Sequence, residues 1–231
     1  QDVYLEWHAR AAGRAGLFRM LLYGLSVLLA MYLGYLFVRL RQNTLALRAR
    51  LGLERLIAAI STQFINLPRE RLDEGINEAL ARLAAQAGFD RACIALHGDG
   101  RLERAFAWHR QGIPPSPDFA EDLINRSACW RIPGDEREEC IHVPRVSALP
   151  AGAENSRLAA RGVSSWLCMP LGPADRRFGV LAFEAVSRER RRSDNDIAML
   201  RTAGEIFANA ITRDRADAER EQLEMQLHHA Q

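Results

Sequence analysis

Nineteen consecutive residues without a charge, MLLYGLSVLLAMYLGYLFV (20–38), constrain this chain more than any other stretch. As an α-helix rising ~1.5 Å per residue they extend roughly 28 Å, close to the ~30 Å hydrocarbon core of a bilayer. Tyr23, Tyr32 and Tyr35 lie toward the ends, where amphipathic rings favour the membrane interface, and Gly24 and Gly34 are tolerated in such spans. The alternative is a buried helix of a soluble core. A cleaved leader fits poorly, because no small-residue cleavage site follows and Arg39 and Arg41 do. Arg10, Arg14 and Arg19 precede the span and Arg39, Arg41, Arg48 and Arg50 follow it, a small bias toward a cytoplasmic C-terminal side. The chain opens on Gln1 rather than methionine, so it reads as an excerpt of a longer protein, open at both ends.

A length of 231 residues, 48% of them hydrophobic and 26% charged, is ordinary for one or two globular domains. The net charge of +2 supplies no global field directed at nucleic acid. Every basic residue is arginine, and the absence of lysine excludes Schiff-base chemistry, a P-loop lysine and a kinase-type strand lysine within these residues. Cys93, Cys129, Cys140 and Cys168 are irregularly spaced without a CxxC pair, which predicts free thiols in a reducing compartment rather than disulfides.

Beyond the apolar span, residues 45–67 keep helical composition, with Ala46, Ala49, Leu53, Leu56 and Ile60 spaced by 3 and 4. That spacing suits either a parallel seam between two protomers or a helix lying on its own domain. Pro68 ends it. Leu72, Ile76, Leu80, Leu83 and Ala87 then form one apolar stripe before Gly88, a C-terminal stop. Two strands joined at HGDG are predicted over 91–110, a short helix over 118–128, a strand over 139–146, and a turn and helix over 148–162. SSWLCMPLG and RFGVLAFEAV make a second hairpin. A capping box of Ser193 and Asp196 opens the last helix, whose seam is Ile197, Leu200, Gly204, Phe207 and Ile211 and which resumes faintly at Leu223 and Leu227. The fold class is α+β: an antiparallel sheet flanked by helices, after one transmembrane helix and before a coiled-coil connector helix. The strands are near-continuously apolar, so both sheet faces are expected to be covered, one by the terminal helices and one by 111–162 as a roofed pocket.

Candidate ligand residues follow from that roof. Trp108, Trp130 and Trp166, with Phe106 and Phe119, wall an aromatic pocket or form plain core. Strand parity puts Trp166 and Cys168 on one face and Leu167 and Met169 on the other. Glu184, inside VLAFEAV, sits at an open edge, the commoner arrangement, or is buried with a partner and contacts a ligand. His97, His109 and His142 converge only if the fold brings them together; hydrogen-bonded or exposed histidines are commoner than metal or haem ligands. SRERRRS (187–193) is a solvated turn or, more sharply, a lipid-headgroup contact. Adjacent His228 and His229 point about 100° apart on a helix and cannot chelate one metal as an i, i+4 pair can. No nucleophile–base pair, phosphate loop or paired carboxylates stand out, so neither a catalytic nor a metal site is expected.

The stretch GVSSWLCMPLGPADRRFGVLAFEAVSRERRRSDNDIAMLRTAGEIFANAI (162–211) resembles the second half of a GAF domain. The matching pattern is a Gly-β-branched-x-Ser start, an apolar strand ending Pro-Leu, a turn, Gly-x-Leu, and an Asp-rich helix start; HVPRVSALP (142–150) is similar to the segment before it. The resemblance spans 53–212 and implies a small-molecule sensory domain. The cyclic-nucleotide type carries an Asn-Lys signature that a chain without lysine lacks. The bilin type joins its chromophore through a cysteine followed directly by histidine, whereas Cys140-Ile141-His142 is offset by one. AEREQLEMQLHHAQ (218–231) is similar to the helix leading into the dimerisation and phospho-acceptor region of sensor histidine kinases, and the architecture looks most like VirA-type kinases, which respond to phenolics.

These resemblances imply the end of an extracytoplasmic region (1–16), a transmembrane helix (17–39), a signalling helix (40–67), a GAF-like domain (53–212) and a connector helix (213–231). They further imply a bacterial inner-membrane location with the GAF domain cytoplasmic, a homodimer with a seam at Leu53, Leu56, Ile60, Leu223 and Leu227, and a small-molecule ligand, for which the VirA-type resemblance suggests a phenolic. That ligand is expected at Trp108, Phe119, Trp130, His142, Trp166, Cys168 and Glu184. The segment itself needs no cofactor, while the parent kinase would use ATP and Mg and pass phosphate to a response regulator. A diguanylate cyclase output and a ligand-free dimerisation module are the alternatives.

Overall fold

The computed structural model describes residues 2–98, 101–116, 118–126, 140–150, 152–173, 176–186, 189 and 192–229. It divides into two units, Gln1–Ala49 and Arg50–Gln231. Helix α1 (Asp2–Ile65) runs through the first and begins the second. In the first unit the window Gly24–Arg41 has mean hydropathy 1.4 over 18 residues and none of it is buried. That length and composition suffice to cross a membrane.

The second unit is built on five strands, β1 (Arg91–Gly98), β2 (Arg101–His109), β3 (Ile141–Val143), β4 (Ser165–Leu171) and β5 (Gly179–Ala185). They form one antiparallel sheet in the order β2-β1-β5-β4-β3. β3 is shorter than the 139–146 expected from sequence. Pro144 has no N–H for the ladder, and Val146–Ala148 forms a 3-10 turn instead.

The proximal face of the sheet is covered by α1 from Leu53 onward, by α2 (Leu72–Ala87) and by α5 (Asp194–His229). The expected stripe of α2 is buried throughout, and Gly88 ends the helix at φ 71°. Phe89 N–H donates to Ala84 O at 2.8 Å and Gly88 N–H to Ala85 O at 3.0 Å, the reciprocal pair of a left-handed C-terminal cap. At the start of α5, Asp196 N–H donates to Ser193 Oγ at 3.2 Å and Ser193 N–H to Asp196 Oδ2 at 3.3 Å, so the capping box forms.

Leu53 and Ile60 are buried in this chain's own core, and Leu56 packs against it half-buried. Leu53 and Ile60 thus pack within their own domain and not between protomers, and the 3–4 spacing of this helix serves the domain it belongs to. Leu223 and Leu227 are exposed, beyond the last buried residue of α5, Ile211.

Candidate functional site

Side-chain alternation assigns each strand residue to a face. The distal face carries Arg91, Cys93 and Ala95 from β1, Trp166 and Cys168 from β4, and Val180, Ala182 and Glu184 from β5. It is covered by α3 (Phe119–Arg126), α4 (Ala153–Ala160) and the turn at Val146, which bring in Phe119, Leu123, Ile124 and Leu158. The division into a helix-packed face and a roofed face is the one read from the sequence.

Four charged residues lie at one corner of the roofed face. Glu184 is fully buried, and the register of β1 on β5 sets Arg91 opposite it. Arg91 Nη1 donates to Glu184 Oε2 at 3.1 Å, and Arg161 Nη2 donates to Oε1 at 2.7 Å. Arg161, which caps the C-terminal end of α4, also donates through Nη1 to Asp122 Oδ2 on α3 at 2.6 Å. Its guanidinium lies 5.3 Å from the centre of the Phe119 ring. Arg91 Nε–H donates to Pro114 O at 2.9 Å, fastening the 111–116 loop. Two positive and two negative groups thus balance, and one arginine ties the sheet to both roof helices. Burial pushes the Glu184 carboxyl above the usual carboxylate range, against the opposing pull of Arg161 and Arg91.

Glu184 is therefore the buried carboxylate with partners, not an edge residue; β5 is the central strand. Trp166, Cys168, Phe119 and Glu184 share the distal face. Trp108 does not: on β2 it pairs with Ala92 of β1 and packs on the proximal core. His142 pairs with Leu167 and so shares the proximal parity, on the edge strand β3. Trp130 lies outside the described residues. His109 and His142 stand on opposite edges of the sheet, so the histidines do not converge. Among the described residues no group of three His, Cys, Asp or Glu side chains is placed to hold a metal ion.

Cys93 and Cys140 are free thiols, and burial pushes them up to about 12 and about 11 respectively. Glu184 adds to the rise at Cys93, while Arg201 opposes the one at Cys140. Cys168 is disulfide-bonded, so the free-thiol expectation fails there. Sequence reasoning missed Arg91, Arg161 and Asp122. Arg91 carried a usable signal, since it opens an apolar strand at the parity of Cys93. Arg161 and Asp122 carried none, because only tertiary packing brings the ends of α3 and α4 to β5.

A family model of the GAF domain matches residues 71–211. Histidine kinase FilI of Methanothrix harundinacea, a methanogenesis regulatory protein, is 25% identical over 173 residues, which is 71% of this chain and 19% of that protein. The chain therefore spans about a fifth of the length of the curated relative it matches. Among solved structures, the phycocyanobilin-bound GAF domain of a cyanobacterial phytochrome superposes with a TM-score of 0.54 at 18% identity, covering 71% of this chain and 96% of that one. The GAF domain of a phosphoenolpyruvate-protein phosphotransferase from Coxiella burnetii gives 0.51 at 15% identity, covering 74% and 98%. With a roofed antiparallel sheet, the order of its strands and a family match across most of the folded unit, this chain belongs to the GAF domain family.

Proposed function

We propose that the chain is the sensory and transmitting segment of a membrane-bound sensor histidine kinase, acting as a homodimer. The distal face takes a small molecule, and the helices on the proximal face carry the change to a kinase domain that uses ATP and Mg and serves a response regulator. The apolar window of α1 anchors the protein in the inner membrane with the GAF domain on the cytoplasmic side.

One contact carries this reading: the rings of Phe64 on α1 and Phe207 on α5 meet edge to face, with centroids 5.7 Å apart. The helix that enters the domain and the helix that leaves it are thereby packed together on the face opposite the ligand. A ligand that favours one arrangement of the roof over another shifts the sheet and this helix pair together; equal affinity for both arrangements would transmit nothing. The similarity to a histidine kinase supports the choice of output. The bilin of the phytochrome relative is not carried over, because Cys140 and His142 belong to the proximal parity.

The test is a phase shift in the full-length parent. Inserting one residue between Asn43 and Thr44 rotates the incoming helix by ~100° and should change autophosphorylation, whereas inserting seven should restore it. Equal output from both insertions rejects the coupling. Cyclic-dinucleotide synthesis in place of autophosphorylation rejects the kinase and leaves the sensory role.

A further inference from the structure

We infer that the distal face recognises an uncharged aromatic compound through a hydrogen-bond acceptor, a carbonyl oxygen, bound by the indole N–H of Trp166 and the Nε–H of Arg161. This rests on the reading of that face as a ligand site and specifies what the site selects.

Trp166 is 6% exposed, and its cross-strand neighbour on β5 is Glu184. Its Nε1 is buried and meets no acceptor. Arg161 uses its Nη1 and Nη2 on Asp122 and Glu184, and its Nε is likewise buried with no acceptor. Native proteins rarely leave buried donors unmatched, because each has lost its water and gained nothing in return. Both of these are donors, neither can accept, and both belong to the roofed face. An incoming acceptor would relieve them, and a second donor would not.

The charges point the same way. Arg91 and Arg161 are balanced by Glu184 and Asp122, so a charged ligand would have to break a buried pair or enter unpaired. The floor of the face is paved with small side chains, Cys93, Ala95 and Ala182, with Phe119 lying under the Arg161 guanidinium. Small floor residues and flanking aromatic rings suit a flat apolar body. The two unmatched donors also supply the difference that signalling needs. The ligand-free, closed roof carries their desolvation penalty, and the liganded form does not, so an acceptor shifts the balance between the two while a hydrocarbon of the same shape shifts it far less.

The full chain, 15N-labelled at tryptophan and held in lipid nanodiscs, is titrated with 1-phenylethanone and with cumene, its hydrocarbon isostere. The Trp166 indole resonance is assigned by its loss in Trp166→Phe. The expected result is a non-hydrogen-bonded indole N–H in the free protein, a downfield shift with the ketone alone, and about tenfold tighter binding of ketone than of cumene. Trp166→Phe should remove most of that preference and leave cumene binding unchanged. An indole already hydrogen-bonded before titration overturns the inference. Equal binding of the two compounds overturns it while leaving the ligand site standing, and binding of neither removes the site and the inference together.

Discussion

Arg91 Nη1 lies 3.1 Å from Glu184 Oε2, and the two side chains are 5% and 0% exposed. They are direct cross-strand partners, so the pairing of β1 with β5 and the pairing of the charges are one constraint. A slip of one residue would turn Glu184 into the proximal core and leave Arg91 buried without a counter-charge. Burial raises the Glu184 carboxyl despite two arginines, which marks the cluster as a determinant of register more than a source of net stability.

Removing one partner is therefore expected to be costly and removing a matched pair much less so. Glu184→Ala should lower the unfolding free energy by ~3–5 kcal/mol, because it strands Arg91. The double variant Arg91→Met/Glu184→Leu should recover most of that loss, since Arg161 retains Asp122 at 2.6 Å. Urea midpoints at constant m-value decide it; a double variant as unstable as the single one would show that the pair contributes net stability.

Trp166→Phe tests the unmatched indole by stability alone. Trimming a buried tryptophan ordinarily costs packing, but here it also deletes a donor that has no acceptor. The ligand-free chain should keep its thermal midpoint or gain slightly. A loss above ~2 kcal/mol would mean that the N–H had a partner to lose.

The sheet, its two faces and both helix caps were legible because each rests on a local pattern: alternation, 3–4 spacing, Gly88 in the left-handed region, Ser193 three residues before Asp196. The Gly-x-Leu signature has a packing cause as well. A Cβ on Gly179 would stand 3.0 Å from the Ala95 carbonyl oxygen and 2.7 Å from Leu96 Cδ2. What the sequence did not disclose is which surface a pattern serves. Leu53 and Ile60 have the spacing of a coiled-coil seam and lie in the core, and Glu184 looks like an edge carboxylate until Arg91 and Arg161 arrive from other elements. Trp108 and Trp166 are both aromatic strand residues, and only register separates their faces.

The two free thiols give a pH prediction. Both are raised in the fold, so the folded state favours the protonated form. Their contribution to stability is fully present below the unfolded thiol value of ~8.5 and is lost as pH rises through about 11 for Cys140 and about 12 for Cys93. At pH 8 the folded protein should hold roughly a hundredfold to a few thousandfold less thiolate at these sites than the unfolded chain. Iodoacetamide labelling read by mass spectrometry should be correspondingly slow until urea is added. Rapid native labelling of Cys93 would show that the roof opens often.

Past Thr212, α5 is held by charge rather than by a buried seam. Arg69 Nε meets Asp214 Oδ1 at 3.0 Å and Arg69 Nη1 meets Glu221 Oε2 at 2.5 Å; Arg215 Nη2 meets Glu103 Oε2 at 2.6 Å. Arg213 Nη2 donates to Phe64 O at 2.8 Å, so the exit of α5 is also fastened to the end of α1. The Arg69 guanidinium is raised above its ordinary value, first by its hydrogen bond to Glu221. These pairs are largely exposed, and salt at 1 M shortens the screening length to ~3 Å, so each contributes little to global stability. Their effect is local. Arg69→Gln, or 1 M NaCl, should speed amide exchange across 214–221 by roughly fivefold or more and leave Leu200–Ile211 protected and the thermal midpoint unchanged. If exchange in 214–221 does not respond, the stiffness of the exit helix comes from its own i, i+4 pairs such as Arg220–Glu224, and the end of α1 has no hold on the segment that leads to the output domain.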